Sequence, residues 1–347
     1  MGVPPAVERV LSAYRLSGPR VEPIPVGLIH ESFDVRDGAA AYVLQRVSPI
    51  FSPGIHENIR AVTEHLHARG VLTFRIVPTA GGSLTVDLGA DGSWRLLTRV
   101  PGVCFETCSS AEQARAAGGL VARFHSALAD LDHAFRPLGI LWHDTPAHLR
   151  QLEEAVGGHR DHPLHGDVAA LAERILAAAR DADPLEGVPD RVVHMDLKFN
   201  NVLFAGESGT ACKEAVSLID LDTVCRLPLY MELGDAWRSW CNRRGEDSPE
   251  AELDMEIFRA SAEGYLGSLE LALGREERAS LAHGLERLSL ELAARFAADA
   301  LVEGYFGWDP ERFASRGEHN LVRARGQLSL FEQARAARGE LARLLAG

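Results

Sequence analysis

Two aspartates and an asparagine are the residues in this chain whose types and spacing could do chemistry. In VVHMDLKFNNVLF, residues 192–204, Asp196 and Asn201 stand in a short polar stretch bracketed by apolar, strand-like pieces. Asp220 ends a second apolar run, AVSLI. Phosphoryl transfer from ATP needs metal ligands that bridge the phosphates and a carboxylate that orients the attacking hydroxyl and accepts its proton. Hard Mg²⁺ takes oxygen ligands, so an Asn carbonyl and an Asp carboxylate suit it. H-x-D-x-x-x-x-N, followed about twenty residues later by an apolar strand ending in Asp, supplies that set. Asp196, Asn201 and Asp220 are the members of that set. His194 would hold the loop by hydrogen bonds. The bland alternative is a β-hairpin with a polar loop, where Asp, Asn and Lys are common. Spacing, flanking strands and the second Asp together favour a kinase-like catalytic loop. Asp222 is a third metal candidate, with a solvated or capping Asp as its alternative.

Such a loop must be positioned against a nucleotide, and the first hundred residues have the pattern for it. A short helix near residues 4–14 precedes strand-like runs at 21–29, 32–37 and 41–47. An amphipathic helix follows in HENIRAVTEHLHARG, with Ile59, Val62 and Leu66 on one face and Gly70 as a stop. Further strands are expected at 73–79, 83–89 and 93–100, parted by Gly81-Gly82 and Asp91-Gly92 turns. From Ser109 onward helix dominates, with long patterns at 111–131, 250–268 and 276–302, and strand-like pieces return only at 190–224. Pro101-Gly102 is the natural junction. The expected fold class is α+β, a protein-kinase-like two-lobe architecture. Residues 1–100 would form a small antiparallel-sheet lobe that binds ATP, and residues 101–347 a mostly helical lobe with the catalytic loop and acceptor pocket.

Composition narrows the class. At 347 residues, 46% of them hydrophobic and 24% charged, the chain is an ordinary globular protein. A net charge of −13 argues against a general nucleic-acid binder. Five cysteines without a C-x-x-C pair suit a reducing compartment with free thiols. The N-terminus lacks the pattern of a signal peptide, and Ala6 stands where myristoylation needs Ser or Thr. No run of about eighteen apolar residues marks a membrane span. The expectation is a cytoplasmic enzyme, monomeric by default, with no nucleic-acid or membrane partner.

Longer stretches carry a resemblance: GLIHESF (27–33), YVLQR (42–46), HENIRAVTEHL (56–66), HMDLKFNNVLF (194–204), LIDLDTV (218–224), GDAWR (234–238), RFAADALVEGYF (295–306) and HNLVRARGQ (319–327). Through them the chain resembles the aminoglycoside phosphotransferase and choline kinase superfamily, and within it most the N-acetylhexosamine 1-kinases. The H-x-D-x-x-x-x-N core marks the superfamily and so speaks to reaction type. LQR, VTEHL, IDLDT and the two C-terminal stretches point to the sugar branch. The resemblance implies ATP and Mg²⁺ as cofactors and a small-molecule sugar as acceptor, phosphorylated on its anomeric hydroxyl. It implies Asp196 as the base and Asn201 and Asp220 as the metal ligands. It makes GLIHESF the turn over the phosphates, with Gly27 and backbone N–H groups near Ser32 contributing. Strand YVLQRV should hold the cation that meets the α- and β-phosphates. Gln45 and Arg46 point to opposite faces, and the charge favours Arg46. Its helix partner would be Glu57 or Glu64. Leu97 to Val100, including Arg99, would be the adenine hinge, and Lys198 could reach the γ-phosphate.

For the acceptor, the resemblance offers Arg295 for sugar oxygens and Tyr305 and Phe306 for the ring, although the spacing before Tyr305 is one residue short of the family pattern. WHDT, with His143 and Asp144, is another candidate, whose alternative is a helix cap before Pro146. Arg323 and Arg325 could touch ligand or pair with Glu318 or Glu332. The competing functions are a kinase for an aminoglycoside, choline, homoserine or another sugar, a protein kinase, and an inactive binding scaffold. A protein kinase is opposed by the missing glycine-rich cover and by Asp222 where D-F-G has Gly.

Overall fold

The computed structural model describes residues 4–25, 29–140, 143–182, 185–206 and 213–346. Helix α1 (Pro5–Leu11) starts with proline in its first turn, where a missing N–H costs nothing. Strands β1 (Arg20–Ile24), β2 (Glu31–Asp37) and β3 (Ala40–Val47) form a meander, followed by α2 (Ile55–Ala68). Strands β4 (Ile76–Val77), β5 (Val86–Asp87) and β6 (Ser93–Thr98) complete a six-stranded antiparallel sheet, ordered β1-β2-β3-β6-β4 with β5 also on β6. The strands expected at 73–79 and 83–89 therefore shrink to two residues each. Both pair with the one edge of β6 that β3 leaves open, Ile76 opposite Leu97 and Val86 opposite Trp94, so that edge is divided between them.

Alternation gives the sheet two different faces. Phe33, Val35, Leu44, Trp94 and Leu96 pack on Val7, Val10 and Leu11 of α1 and on Tyr14. Ser32, Val43, Gln45, Arg95 and Leu97 face the other way and line a cleft.

The remainder is mostly helical: α3 (Ala111–Ala127), α4 (Thr145–Gly158), α5 (His165–Arg180), then strands β7 (Asp190–Val193), β8 (Val202–Phe204), β9 (Ala215–Leu218) and β10 (Cys225–Pro228). Helices α6 (Leu229–Trp240), α7 (Met255–Ser268), α8 (Arg275–Val302) and α9 (Arg316–Ala346) follow. β7 pairs with β10 and β8 with β9, two small ribbons that hold residues 194–201 between them. Glycines let the long helices cross closely: a Cβ on Gly284 of α8 would lie 2.1 Å from the Tyr230 carbonyl of α6. One apolar cluster runs from Ile55 and Ile59 of α2 through Leu120 and Phe124 of α3 to Leu197, Phe199 and Trp237. The sheet's helix and the loop after β7 thus share a core. Among the described residues no helix is long and apolar enough to cross a membrane.

Candidate active site

β7 delivers the chain into the loop at His194, and a 3₁₀ turn at Phe199–Asn201 feeds it into β8. His194 is fully buried; its Nε2–H donates to the Ile219 carbonyl at 2.8 Å and Nδ1 accepts from the Asp196 amide at 3.3 Å. These bonds tie the loop to the segment before Asp220. Thr223 Oγ1 donates to the His194 carbonyl at 2.7 Å, and Trp240 Nε1 to that of Leu197 at 2.7 Å. A residue that the sequence reading missed completes the frame. The buried Glu232 of α6 accepts the amides of His194 at 2.9 Å and Met195 at 2.6 Å, and faces His125 Nε2 at 3.2 Å. Met195 needs this, because it sits at φ 62°, a left-handed conformation costly outside glycine. Within the loop, Asn201 Nδ2 donates to Asp196 O at 2.7 Å and to Asp196 Oδ2 at 3.2 Å, which leaves its carbonyl oxygen for another partner. Lys198 Nζ lies 3.0 Å from Asp196 Oδ1. Burial pulls the Lys198 ammonium down, but the carboxylates of Asp196, Asp235 and Asp220 more than offset it and hold its pKa above the ordinary value.

The cleft between the sheet and this loop has a volume of about 810 Å³ and is lined by Ser32, Gln45, Arg95, Asp196, Asn201 and Asp220 among others. Asp220 adopts φ 65° at the end of β9. Enclosure in the cleft and the charges of Asp222 and Asp196 push its pKa up to about 6, the behaviour of a carboxylate crowded for a cation. Asp222, His30 and Asp220 hold ligand atoms within 4.8 Å of one another. Asp222, however, is already engaged: His30 Nε2 meets one oxygen at 2.6 Å and Arg95 the other at 2.7 Å. Against burial, Arg95 and His30 keep its carboxyl well below the usual range. It is first an ion-pair partner, and Asp220 and Asn201 are the oxygen donors that remain open.

The sheet decides between Gln45 and Arg46, against the expectation from charge. Arg46 shares the parity of Leu44, and its Nε donates to the Asp91 carbonyl at 3.0 Å on the solvent side, away from the cleft. Gln45 faces the cleft and donates to Ser32 Oγ at 3.3 Å. Glu57 turns outward to Arg136 at 3.0 Å and pairs with no cleft residue, while the exposed Glu64 lies further along α2. Helical phase sends His56 inward instead. Arg99 lines the cleft and is bonded to Asp34. Gly27 lies outside the described residues.

Among the residues expected at the acceptor, the Arg295 guanidinium carbon lies 5.7 Å from the Tyr305 ring centre and 5.5 Å from that of Phe306. Tyr305 is exposed, and Phe306 packs on Phe296 at 4.3 Å. One turn before Arg295 on α8, the buried Glu291 pairs with His143 at 2.8 Å and is bonded by Thr145. Burial raises the Glu291 pKa, but His143, Thr145 and Arg295 outweigh it and hold it low. Burial raises the pKa of Asp235, but Arg238 at 2.9 Å, His143 and Lys198 outweigh it and hold it low, which ties this cluster to the loop of Asp196. Asp144 does not join it: it is the N-cap of α4, accepting the Ala147 amide at 3.0 Å, the alternative that the Pro146 context offered. Arg323 pairs with Asp247 at 2.7 Å and Arg325 with Asp167 at 3.2 Å, so neither meets the partners expected.

Comparison with known proteins agrees with this geometry. The model of the phosphotransferase enzyme family known as APH matches residues 20–271. Among solved structures, an aminoglycoside phosphotransferase from Alicyclobacillus acidocaldarius is similar over 98% of both chains at 17% identity, with a TM-score of 0.64. A microcompartment-associated aminopropanol kinase covers 96% of this chain and 98% of its own at 17% identity and a TM-score of 0.61. An amicoumacin kinase solved with AMP-PNP and Ca²⁺ covers 94% and 92% at 14% identity and a TM-score of 0.62. At these identities the structures share the fold, a small antiparallel-sheet lobe on a helical one. The family match spans most of the chain and includes the loop, Asp220 and the sheet lobe, and on that ground this chain is an enzyme of the APH phosphotransferase family.

Proposed function

We propose that this chain transfers the γ-phosphoryl group of ATP to the anomeric hydroxyl of an N-acetylhexosamine. The observation that carries the acceptor choice is charge balance in the cluster that Lys198 links to Asp196: Glu291 is matched by His143 and Arg295, Asp235 by Arg238, and the Arg295 guanidinium lies over Tyr305 and Phe306. A polycationic aminoglycoside would want uncompensated carboxylates there. A neutral sugar wants a hydrogen-bonding fork for its oxygens and an aromatic face for its C–H side, and Arg295 with Tyr305 and Phe306 has that chemistry.

In this reading Asp196 accepts the proton of the attacking hydroxyl, while Lys198 beside it offers positive charge to the transferring group. Asn201 is held by Asp196 so that its carbonyl oxygen is available, and Asp220 supplies a carboxylate; these hard donors fit Mg²⁺. The ion, when bound, would neutralise charge on the phosphate oxygens. Ser32 and its turn would lie over the phosphates, and the backbone of Leu97 to Val100 would meet adenine. Residues 1–100 would bind the nucleotide, and 101–347 would supply the catalytic loop and the acceptor pocket.

A coupled assay of ADP release tests this with N-acetylglucosamine, N-acetylgalactosamine, glucosamine, choline and kanamycin. Turnover with the N-acetylhexosamines is expected; its absence with both would refute the sugar 1-kinase reading. A second reading, a small amino alcohol acceptor, rests on the aromatic pair Tyr305–Phe306, which would suit an ammonium group. Turnover with choline alone would favour it. Asp196→Asn should abolish turnover and leave nucleotide binding largely intact; near-wild-type turnover would exclude Asp196 as the base.

A further inference from the structure

Across the cleft face of the sheet, three side chains stand in one row. Ser32 of β2 is opposite Gln45 of β3, and Gln45 is opposite Arg95 of β6. In the kinase arrangement the phosphate-binding cation is a lysine on β3, held by a glutamate of the following helix. Here the β3 position is uncharged, and α2 presents His56 in place of a glutamate. His56 Nδ1–H donates to the Pro53 carbonyl at 2.9 Å, so its buried Nε2 carries a lone pair and has no partner among the described residues.

The row still contains one cation. Arg95 is 2% exposed, yet it lines the cleft together with Asp220 and Gln45. Its Nε donates to Gln45 Oε1 at 2.9 Å and its NH1 lies 2.7 Å from Asp222 Oδ1. NH1 is in ion-pair range of Asp222 but makes no aligned hydrogen bond among the described residues. A guanidinium taken out of water at one carboxylate and one amide oxygen keeps unused donors, in a fork suited to phosphate oxygens. Of the other cations of the cleft, Arg99 is bound to Asp34, and Lys198 stands beside Asp196, at the transferring group and not in this row.

We propose that the phosphate-binding cation of this enzyme has moved from β3 to β6, and that Arg95, aimed by Asp222 and Gln45, binds the nucleotide's phosphates. Asp222 then takes the part of the helix glutamate, holding the cation from the segment after Asp220. The proposal rests on the kinase reading of the cleft but not on which hydroxyl is phosphorylated, so it is tested without acceptor.

The experiment is calorimetric binding of ADP and of adenosine, each with Mg²⁺, to wild type, Arg95→Met, Arg95→Lys and the double variant Gln45→Lys/Arg95→Met. Loss of charged hydrogen bonds to phosphate should weaken ADP about 10- to 100-fold in Arg95→Met and leave adenosine within about twofold. The double variant, with a lysine restored on β3, should recover at least about threefold of the lost ADP affinity. Arg95→Lys keeps the charge without the fork to Gln45 and should fall between. If Arg95→Met does not fold, the ADP-to-adenosine ratio of Arg95→Lys carries the test, and an unchanged ratio refutes the proposal. Parallel loss of ADP and adenosine would make Arg95 a structural partner of Asp222 only and overturn it, as would ADP affinity within about threefold of wild type. A wild-type chain that binds neither ADP nor ATP would overturn the kinase reading and the proposal with it.

Discussion

Replacing Glu232 by glutamine removes one negative charge and one acceptor from the buried frame of the catalytic loop. The carboxylate accepts the His194 amide at 2.9 Å on one oxygen, which also faces His125 Nε2 at 3.2 Å, and the Met195 amide at 2.6 Å on the other. A carboxamide keeps only one acceptor oxygen. With that oxygen left at His194 and His125, the side-chain NH₂ would meet the Met195 N–H donor to donor. The loss is one charge-assisted hydrogen bond, about 1.5–3 kcal/mol, plus a buried unsatisfied amide, about 1–3 kcal/mol, so a total of roughly 3–5 kcal/mol is expected. The left-handed Met195, freed from its anchor, would relax and carry the adjacent Asp196 with it. A displacement of about 1 Å at such a group costs about 100-fold in rate. Urea unfolding followed by tryptophan fluorescence reads the first effect, helped by Trp240, which bonds the loop at Leu197. Steady-state kinetics reads the second, as a fall in kcat with little change in nucleotide KM. A stability loss under about 1 kcal/mol together with kcat within about threefold of wild type would refute the role given to Glu232.

Two further outcomes follow from packing and charge. Gly284→Ala should destabilise the protein by about 3 kcal/mol or more, because its Cβ would sit 2.1 Å from the Tyr230 carbonyl, whereas Gly339→Ala in α9, where a Cβ meets nothing within 4 Å, should gain up to about 1 kcal/mol in the same urea titration; equal effects would contradict the close crossing of α6 and α8. Asp220 is raised from 3.8 to about 6, so the stability of its protonated form is complete below pH 4 and is lost as pH rises through about 6. Asp220→Asn should therefore gain stability relative to the metal-free wild type between pH 4 and 7, on the order of 3 kcal/mol, and parallel pH profiles of the two would rule this out.

What was legible in the sequence was local. Asp196 and Asn201 close a hydrogen-bonded loop within eight residues of His194, so their spacing alone announced the geometry. Asp144 before Pro146 likewise wrote its own cap. Strand alternation showed that only one of Gln45 and Arg46 could enter the cleft. Choosing between them needed α1, which covers the face on which Leu44, Trp94 and Leu96 lie and so assigns Gln45 to the other. Glu57 was misjudged for the same reason, since the phase of α2 against the sheet and against α3 sends His56 inward.

The sequence by itself determined the reaction-bearing loop, the two-part architecture and the order of the elements, because these depend on patterns within a few turns or strands. Only the tertiary structure decided which groups meet across them. Arg95 reaches Asp222 over more than a hundred positions, Glu232 comes to the loop from α6, and Glu291 meets His143 from the middle of α8. Each such pair is buried, and burial makes a charge seek its partner wherever the fold brings one, whatever the distance along the chain.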